Sequence, residues 1–168
     1  MRNLSSYIHA KNLKFGLYGA SSVVTCAKRE GNLFHEEQDA QTLADWGVDY
    51  WKYDACGEDN LHAYAKFTVM RDALNRTGRP MVYSYEPDDH LPMPVEWVAF
   101  TGNSWRIASD ISSGWGSVMG TLMKANKWAN GEWIMCESEI SRDIVNDVRV
   151  MKRESMNTFL VVQVSLLY

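Results

Sequence analysis

A short run of strand-forming residues followed by a longer run with helical spacing recurs along this sequence. The strand-like runs lie at 13–19, 48–54, 79–85 and about 102–108, and the helical runs lie at 35–47, 59–78 and 114–130. Because parallel strands need a crossover connection, usually a helix, this alternation predicts a parallel sheet in an α/β fold. The strand starts near residues 13, 48, 80 and 103 are 35, 32 and 23 residues apart. A (β/α)8 TIM barrel of ~250 residues uses roughly 31 per unit, so the sequence predicts part of such a barrel, about four to five βα units.

The spacing of the apolar residues predicts which side of each helix faces the sheet. The first helix is expected to end at Gly47, with an inward side at Ala40, Leu43, Ala44 and Trp46. The second is expected to end at Gly78, with an inward side at Leu61, Tyr64, Ala65, Met70, Ala73 and Leu74. The inward side of the third is expected at Trp115, Val118, Met119 and Leu122.

The composition of the 168 residues fits one globular domain, with 46% hydrophobic and 23% charged residues. The formal net charge is −4, and no basic block interleaves with the aromatic residues, so we predict no nucleic-acid binding. The most apolar run, 159–168, is about half the roughly 20 residues of a membrane helix, which predicts no membrane span. Residues 1–15 lack the apolar segment and cleavage site of a signal peptide. The histidines show no metal-ligand spacing, so no metal site is predicted.

Two aspartates are expected at strand ends, where parallel α/β sheets hold their chemistry. Asp54 ends the second strand, and Lys52 shares its face because side chains two apart in a strand point the same way. Asp110 follows the fourth strand, with Arg106 four residues before it. Paired carboxylates of this kind can cleave a glycosidic bond, one acting on the anomeric carbon and the other protonating the leaving oxygen. Structural ion pairs or loop caps remain the alternative.

Several motifs in the same order resemble one family. "KFGLYG", "TCAKREGNLFHEEQDAQTLADWGVDYWKYDAC", "ALNRTGRPMVYSYE" and "NSWRIASDI" are similar to the α-galactosidases of glycoside hydrolase family 27, the melibiase group that includes α-N-acetylgalactosaminidases. The likeness runs from about residue 7 to about residue 128. It implies a (β/α)8 catalytic barrel and retaining hydrolysis of terminal α-linked galactose without a cofactor.

The resemblance also implies roles for individual residues. Asp54 matches the nucleophile, and Asp110 matches the general acid/base. The positions that match sugar contacts are Tyr18, Lys52, Glu86 and Arg106.

Two cysteines also match family positions. Cys26 and Cys56 match a disulfide that ties adjacent barrel loops; two reduced, buried cysteines are the alternative for an intracellular protein. Cys136 is then an unpaired core thiol.

The sequence departs from the family pattern in two regions. Tyr85 stands where the family has a cysteine and Pro87 where it has a tryptophan, which predicts a reshaped substrate loop. After about residue 130 the family's "WNDPD" motif is absent. We therefore expect residues 1–130 to be the central part of a glycosidase barrel and 131–168 to be a divergent segment, with the family's opening strands missing upstream.

These observations predict an α-galactosidase-like retaining glycoside hydrolase with an incomplete catalytic domain and a small carbohydrate substrate. An α-N-acetylgalactosaminidase, a β-L-arabinopyranosidase and an inactive carbohydrate-binding remnant are the alternatives. Exposed edges of a partial barrel aggregate or pair with partners, which leaves a homo-oligomer open. The resemblance implies an extracellular, lysosomal or vacuolar location.

Overall fold

The computed structural model describes residues 1–56, 63–86, 95–108, 110, 112–126, 133–136, 149–152 and 161–163. Helices and strands alternate over most of these residues. In chain order they are α1 (Arg2–His9), β1 (Lys14–Ala20), α2 (Glu36–Trp46), β2 (Tyr50–Asp54), α3 (Ala63–Arg76), β3 (Val82–Tyr85), α4 (Val95–Thr101), β4 (Ser104–Arg106), α5 (Trp115–Asn126), β5 (Trp133–Cys136), β6 (Arg149–Lys152) and β7 (Val161–Gln163). In the part of the chain described here, no helix is long and apolar enough to cross a membrane.

The sheet is a run of parallel strands with antiparallel strands at one end. Strands β1 to β4 pair in parallel in chain order, and each is followed by a helix. This confirms the predicted partial (β/α)8 barrel, with four βα units in the described residues. The full order is β5-β6-β4-β3-β2-β1-β7, in which β7 is parallel to β1, while β6 is antiparallel to β4 and β5. The antiparallel strands lie within 131–168, and the divergence of that segment stays a prediction.

The two faces of the parallel strands differ because side chains alternate along each strand. The odd-numbered residues pack against the helices and form the core, which includes Phe15, Leu17, Trp51, Tyr53, Tyr83, Tyr85 and Trp105. The even-numbered residues occupy the opposite face, which is the inside of a barrel. The site described below is built on that face.

Two helix ends follow the sequence prediction. Gly47 adopts a left-handed φ of 77° directly after α2, and its N–H donates to the Ala44 carbonyl at 3.0 Å. Gly78 has a φ of 70° two residues after α3. Glycine suits both positions because it lacks the Cβ that disfavours this conformation.

The predicted inward side of α5 is mostly wrong, since of its four residues only Met119 is half-buried. Trp115 is 76% exposed and Leu122 43% exposed, and Val118 is also exposed, whereas Thr121 is buried. Residues 121 and 122 point about 100° apart on a helix, so the buried side is rotated by one residue from the apolar stripe. Helical spacing identifies residues that share a side, but burial requires an element that covers them.

The prediction for α3 is partly right. Met70, Ala73 and Leu74 are buried as expected, but Ala65 is exposed and Tyr64 is half-buried. The expected Leu61 lies outside the described residues. Phe67, which the prediction missed, is completely buried and contacts the rings of Tyr53 and Tyr85.

Helices α1 and α4 were not predicted. In the eight-residue α1, Leu4 and Ile8 are one helical turn apart and pack on the core. They form only a short apolar pattern. Helix α4 has seven residues. Both helices are too short for their apolar residues to show a clear helical period.

Candidate active site

The register of the parallel strands brings the candidate residues into two adjacent rows. Tyr18 of β1 is opposite Lys52 of β2, which is opposite Ser84 of β3, and Ser84 is opposite Ser104 of β4. Asp54 lies one side-chain row further toward the carboxyl ends of the strands, together with Glu86 and Arg106. Residues that are far apart in sequence therefore meet at the carboxyl edge.

Asp54 is buried and surrounded by donors. The Tyr18 hydroxyl donates to its Oδ2 at 2.7 Å, and the Ala55 N–H donates to its Oδ1 at 3.0 Å. Lys52 Nζ lies 3.8 Å from Oδ2. Burial by itself would raise the pKa of Asp54, but a hydrogen bond from Glu86, the charge of Lys52 and the bonds from Tyr18 and Ala55 lower it below its ordinary value. Asp54 is therefore held ionised.

Glu86 behaves in the opposite way. Burial, and then the hydrogen bond and negative charge of Asp54, raise its pKa to about 9, although Arg106 and Lys52 oppose the shift. Its Oε2 is buried, with no hydrogen-bond donor to it among the described residues. Lys52 Nζ lies 3.7 Å from this oxygen. Because the pKa of Glu86 is raised, the two carboxyl groups share one proton near neutral pH, and it resides on Glu86.

Arg106 connects Glu86 to Asp110. Its Nη1 donates to Glu86 Oε1, its Nη2 donates to Asp110 Oδ1, and its Nε donates to the Ala108 carbonyl. The side chain of Asp110 is 51% exposed, in contrast to the other acids of the site. The positive charge that lowers the pKa of Asp54 is that of Lys52, whereas the charge of Arg106 lowers the pKa of Glu86.

Tyr18 belongs to the same cluster. Burial and the adjacent Asp54 carboxylate raise the pKa of its hydroxyl well above the ordinary value. Its ring lies 5.5 Å from Lys52 Nζ. Tyr18 is therefore a neutral donor near neutral pH, and its hydrogen bond fixes the orientation of Asp54.

The predicted disulfide between Cys26 and Cys56 is present. It ties the loop after β1 to the residues after β2, next to Asp54. The Cys56 N–H donates to Ser22 Oγ at 3.0 Å, and the Tyr18 hydroxyl lies 3.3 Å from Cys56 Sγ. The bridge thus holds the loop against the acid cluster.

Among the described residues, one group has metal-ligating atoms close together. The ligand atoms of Cys26, Asp54 and Cys56 lie within 4.8 Å of one another. In the disulfide, however, the two sulfurs are bonded to each other and offer no thiolate.

The reshaped substrate loop stays a prediction, because residues 87–94 lie outside the described residues; Tyr85 itself does not line the site. It faces the helices, where it is completely buried and its hydroxyl donates to the Val98 carbonyl at 3.0 Å. The other departure, Pro87, lies outside the described residues.

Two positioning residues were missed from the sequence. Ser22 accepts the hydrogen bond from Cys56, and Asn32 Oδ1 accepts one from the Ala20 N–H at 3.0 Å. Asn32 is held in turn by Asp39 at 2.7 Å. The cluster of polar residues after β1 was the sequence feature that could have indicated Ser22 and Asn32. Such residues are too common in turns, however, for individual ones to be recognised as functional.

A parallel βα sheet with acids, a lysine and an arginine at the carboxyl ends of its strands has the arrangement of a barrel glycoside hydrolase. Residues 1–142 match a family model described as alpha galactosidase A. The chain belongs to this family of α-galactosidases.

Individual relatives agree with this assignment. Alpha-galactosidase A of Cellvibrio japonicus is 44% identical over 116 residues, which are 68% of this chain and 28% of that protein. The crystal structure of alpha-galactosidase I from Mortierella vinacea matches with a TM-score of 0.62 and 36% identity, over 66% of this chain and 29% of that one. The Saccharomyces cerevisiae enzyme solved with raffinose matches with a TM-score of 0.62 and 33% identity, over 67% and 26%. The chain thus spans less than a third of the length of these relatives.

Proposed function

We propose that this chain carries the catalytic acids of a retaining α-galactosidase, which hydrolyses terminal α-linked galactose. The observation that carries the proposal is the buried Asp54 at the end of β2, whose carboxyl group is fixed by Tyr18 and lies 3.8 Å from Lys52 Nζ. A nucleophilic carboxylate must be charged and held in one orientation, and these contacts provide both.

In the first step, Asp54 attacks the anomeric carbon while the bond from that carbon to the leaving oxygen breaks. Asp110 gives its proton to the leaving oxygen. In the second step, Asp110 takes a proton from a water molecule, the water oxygen bonds to the anomeric carbon, and Asp54 leaves as a carboxylate. Two inversions retain the configuration of the sugar.

The contact between Arg106 and Asp110 determines which oxygen can act as the acid. Oδ1 of Asp110 accepts from the guanidinium, so the catalytic proton must reside on Oδ2. Half of the Asp110 side chain is exposed, so that proton can be exchanged with solvent between the two steps. We assign Tyr18, Lys52, Glu86 and Arg106 to sugar binding, since Tyr18 and Lys52 contact Asp54 and Arg106 binds Glu86 on the same face of the sheet.

The disulfide supports an oxidising compartment, the cell exterior or a vacuole or lysosome, because cytosolic thiols are usually kept reduced. The substrate that we propose is a small carbohydrate with a terminal α-galactose.

Hydrolysis of p-nitrophenyl α-D-galactopyranoside by the purified chain tests the proposal. Asp54→Asn should lower the rate by roughly 10⁴-fold or more, the scale seen when other enzymes lose a nucleophile. Asp45→Asn is the matched control, since Asp45 is exposed on α2. Equal rates for Asp54→Asn and the parent chain would refute the assignment of Asp54.

Carbohydrate binding without turnover is the second candidate, since the largely buried Lys52, Glu86 and Arg106 groups can bind sugar hydroxyls whether or not bond cleavage follows. Calorimetric titration with galactose distinguishes the two. A folded chain that binds galactose but does not hydrolyse the nitrophenyl glycoside would support the second candidate.

A further inference from the structure

The disulfide and the adjacent Asp54 bring together three side chains that could bind a metal ion. Cys26, Cys56 and Asp54 each offer one ligand atom within 4.8 Å of the others. A tetrahedral zinc site places two sulfurs and one oxygen roughly 3.6–3.8 Å apart, given Zn–S and Zn–O bonds of about 2.3 and 2.1 Å. The oxygen must therefore approach the sulfurs by about 1 Å at most, and the two sulfurs must move apart to this spacing once their bond is broken.

We propose that reduction of the Cys26–Cys56 bridge creates a binding site for a thiophilic divalent cation such as Zn²⁺, with Cys26, Cys56 and Asp54 as its three protein ligands. A dithiol supplies the two electrons and two protons: the Cys26–Cys56 bond breaks, both cysteines become thiols, and the dithiol becomes a cyclic disulfide. Metal binding then releases the two thiol protons to solvent, because thiolates are the ligands.

The exposure of the bridge favours this reaction. Cys26 is exposed, whereas Cys56 is buried beside Asp54. A small dithiol can therefore approach the sulfur of Cys26, and the thiolate of Cys56 is the leaving group.

The charges of the site balance when the cation is bound. Two thiolates and one carboxylate carry three negative charges against the two positive charges of the metal. Lys52, with Nζ 3.8 Å from Asp54 Oδ2, offsets the remaining charge. Three protein ligands also leave a fourth position for water, as in zinc sites that are open to solvent.

Occupation of the site would block the proposed nucleophile, because the Asp54 carboxylate would be bonded to the metal. This consequence rests on the proposed function, whereas metal binding does not. With the bridge oxidised, Asp54 is available; with the bridge reduced and the metal bound, it is not.

The test uses the full chain, reduced with dithiothreitol and freed of it under anaerobic conditions. Titration with Co²⁺ should give one equivalent of tight binding, with thiolate-to-cobalt charge-transfer absorption, and Zn²⁺ should displace it. The oxidised chain should bind neither metal at the same concentrations. Circular dichroism before each titration establishes whether the reduced chain is folded.

Three variants identify the ligands. Cys26→Ser and Asp54→Asn should each weaken Co²⁺ binding by about 100-fold or more, since loss of even an outer hydrogen-bond partner costs roughly 10–100-fold. Asp54→Asn retains both cysteines, so it separates loss of a ligand from loss of the bridge. Cys136→Ser is the matched control and should bind like the parent chain.

Four outcomes would overturn the inference: no stoichiometric binding by the reduced chain, equal binding by the oxidised chain, loss of binding in Cys136→Ser, or equally tight binding by the reduced chain in denaturant. Failure of the proposed function gives a different result, since a chain that binds Co²⁺ as described but never hydrolyses a galactoside supports the metal site alone.

Discussion

Gly19 sits where the strand next to the active site has no room for a side chain. A Cβ at this position would lie 2.1 Å from Asn32 Oδ1 and 2.4 Å from Trp51 Cη2. Trp51 is buried in the core, and Asn32 is held by Asp39, so neither neighbour can move freely. Gly19 is adjacent to Tyr18, which orients Asp54. Its lack of a side chain therefore serves both packing and the site.

We expect Gly19→Ala to lower the free energy of unfolding by about 1–3 kcal/mol, the usual cost of overpacking. Urea denaturation followed by circular dichroism measures it. Gly120→Ala is the control, because a Cβ there meets nothing within 4 Å and α5 would gain a better helix former. A Gly19→Ala chain as stable as Gly120→Ala would mean that Asn32 or Trp51 yields easily.

Asp110 can be tested through the leaving group of the substrate. A general acid speeds a reaction by about 10²–10⁴-fold when the leaving oxygen needs a proton. Asp110→Asn should therefore lose activity by that factor on melibiose and much less on p-nitrophenyl α-D-galactopyranoside, whose leaving group is stable as an anion. Equal losses on both substrates would argue against an acid role for Asp110.

At the scale of helices and strands, the order of the elements could be predicted from the sequence. The side of each helix that is buried by a neighbouring element could not. The alternation of strand-like and helical runs predicted β1 to β4 because period and turn residues are local properties. The exposed side of α5 was missed because burial depends on which distant element lies against it. The antiparallel pairing of β6 with β4 could not be predicted either, because the hydrophobic periodicity of a strand does not identify the strand that it pairs with.

The same limit applies to the site. Asp54 and Lys52 could be placed together from strand alternation alone, because they are two residues apart. Glu86 had no local pattern to mark it and was identified through the family resemblance. Its shared proton with Asp54 follows from burial in three dimensions, which no sequence pattern records.

Asp49 joins four elements at the amino-terminal end of the sheet, opposite the active site. Its Oδ2 lies 2.6 Å from His9 Nε2 of α1 and accepts from the buried Phe15 N–H of β1 at 2.9 Å. Its Oδ1 accepts from Arg79, just before β3, at 2.9 Å. The carboxylate thereby ties α1 to three parallel strands.

Asp49→Ala should destabilise the chain by about 2–4 kcal/mol, since it leaves the buried Phe15 N–H without its acceptor and removes an ion-pair partner. Asp49→Asn should cost about half as much, because its amide oxygen can still accept from Phe15. Urea midpoints of the two variants and the parent chain give the comparison. Identical losses would show that the charge, rather than the hydrogen bond to Phe15, is what matters.

At the scale of the whole molecule, the proton shared by Asp54 and Glu86 links stability to pH. The pKa of Glu86 is about 9 in the folded chain against an ordinary value of 4.5. Between these values the folded state holds a proton that the unfolded state has lost, so stability falls as pH rises. The lowered pKa of Asp54 has the opposite sign: its contribution is present above the ordinary pKa of 3.8 and is lost as pH falls through the folded value.

Glu86→Gln should therefore flatten the decline in stability between about pH 5 and pH 9, by at most about 1.4 kcal/mol per pH unit for a single proton. Glutamine cannot titrate, yet its amide can still donate toward Asp54 and accept from Arg106, so the fold should persist. Urea denaturation at intervals across this range gives the slope for the variant and the parent chain. Parallel curves would mean that Glu86 is ionised in the folded chain, and the shared proton would have to be abandoned.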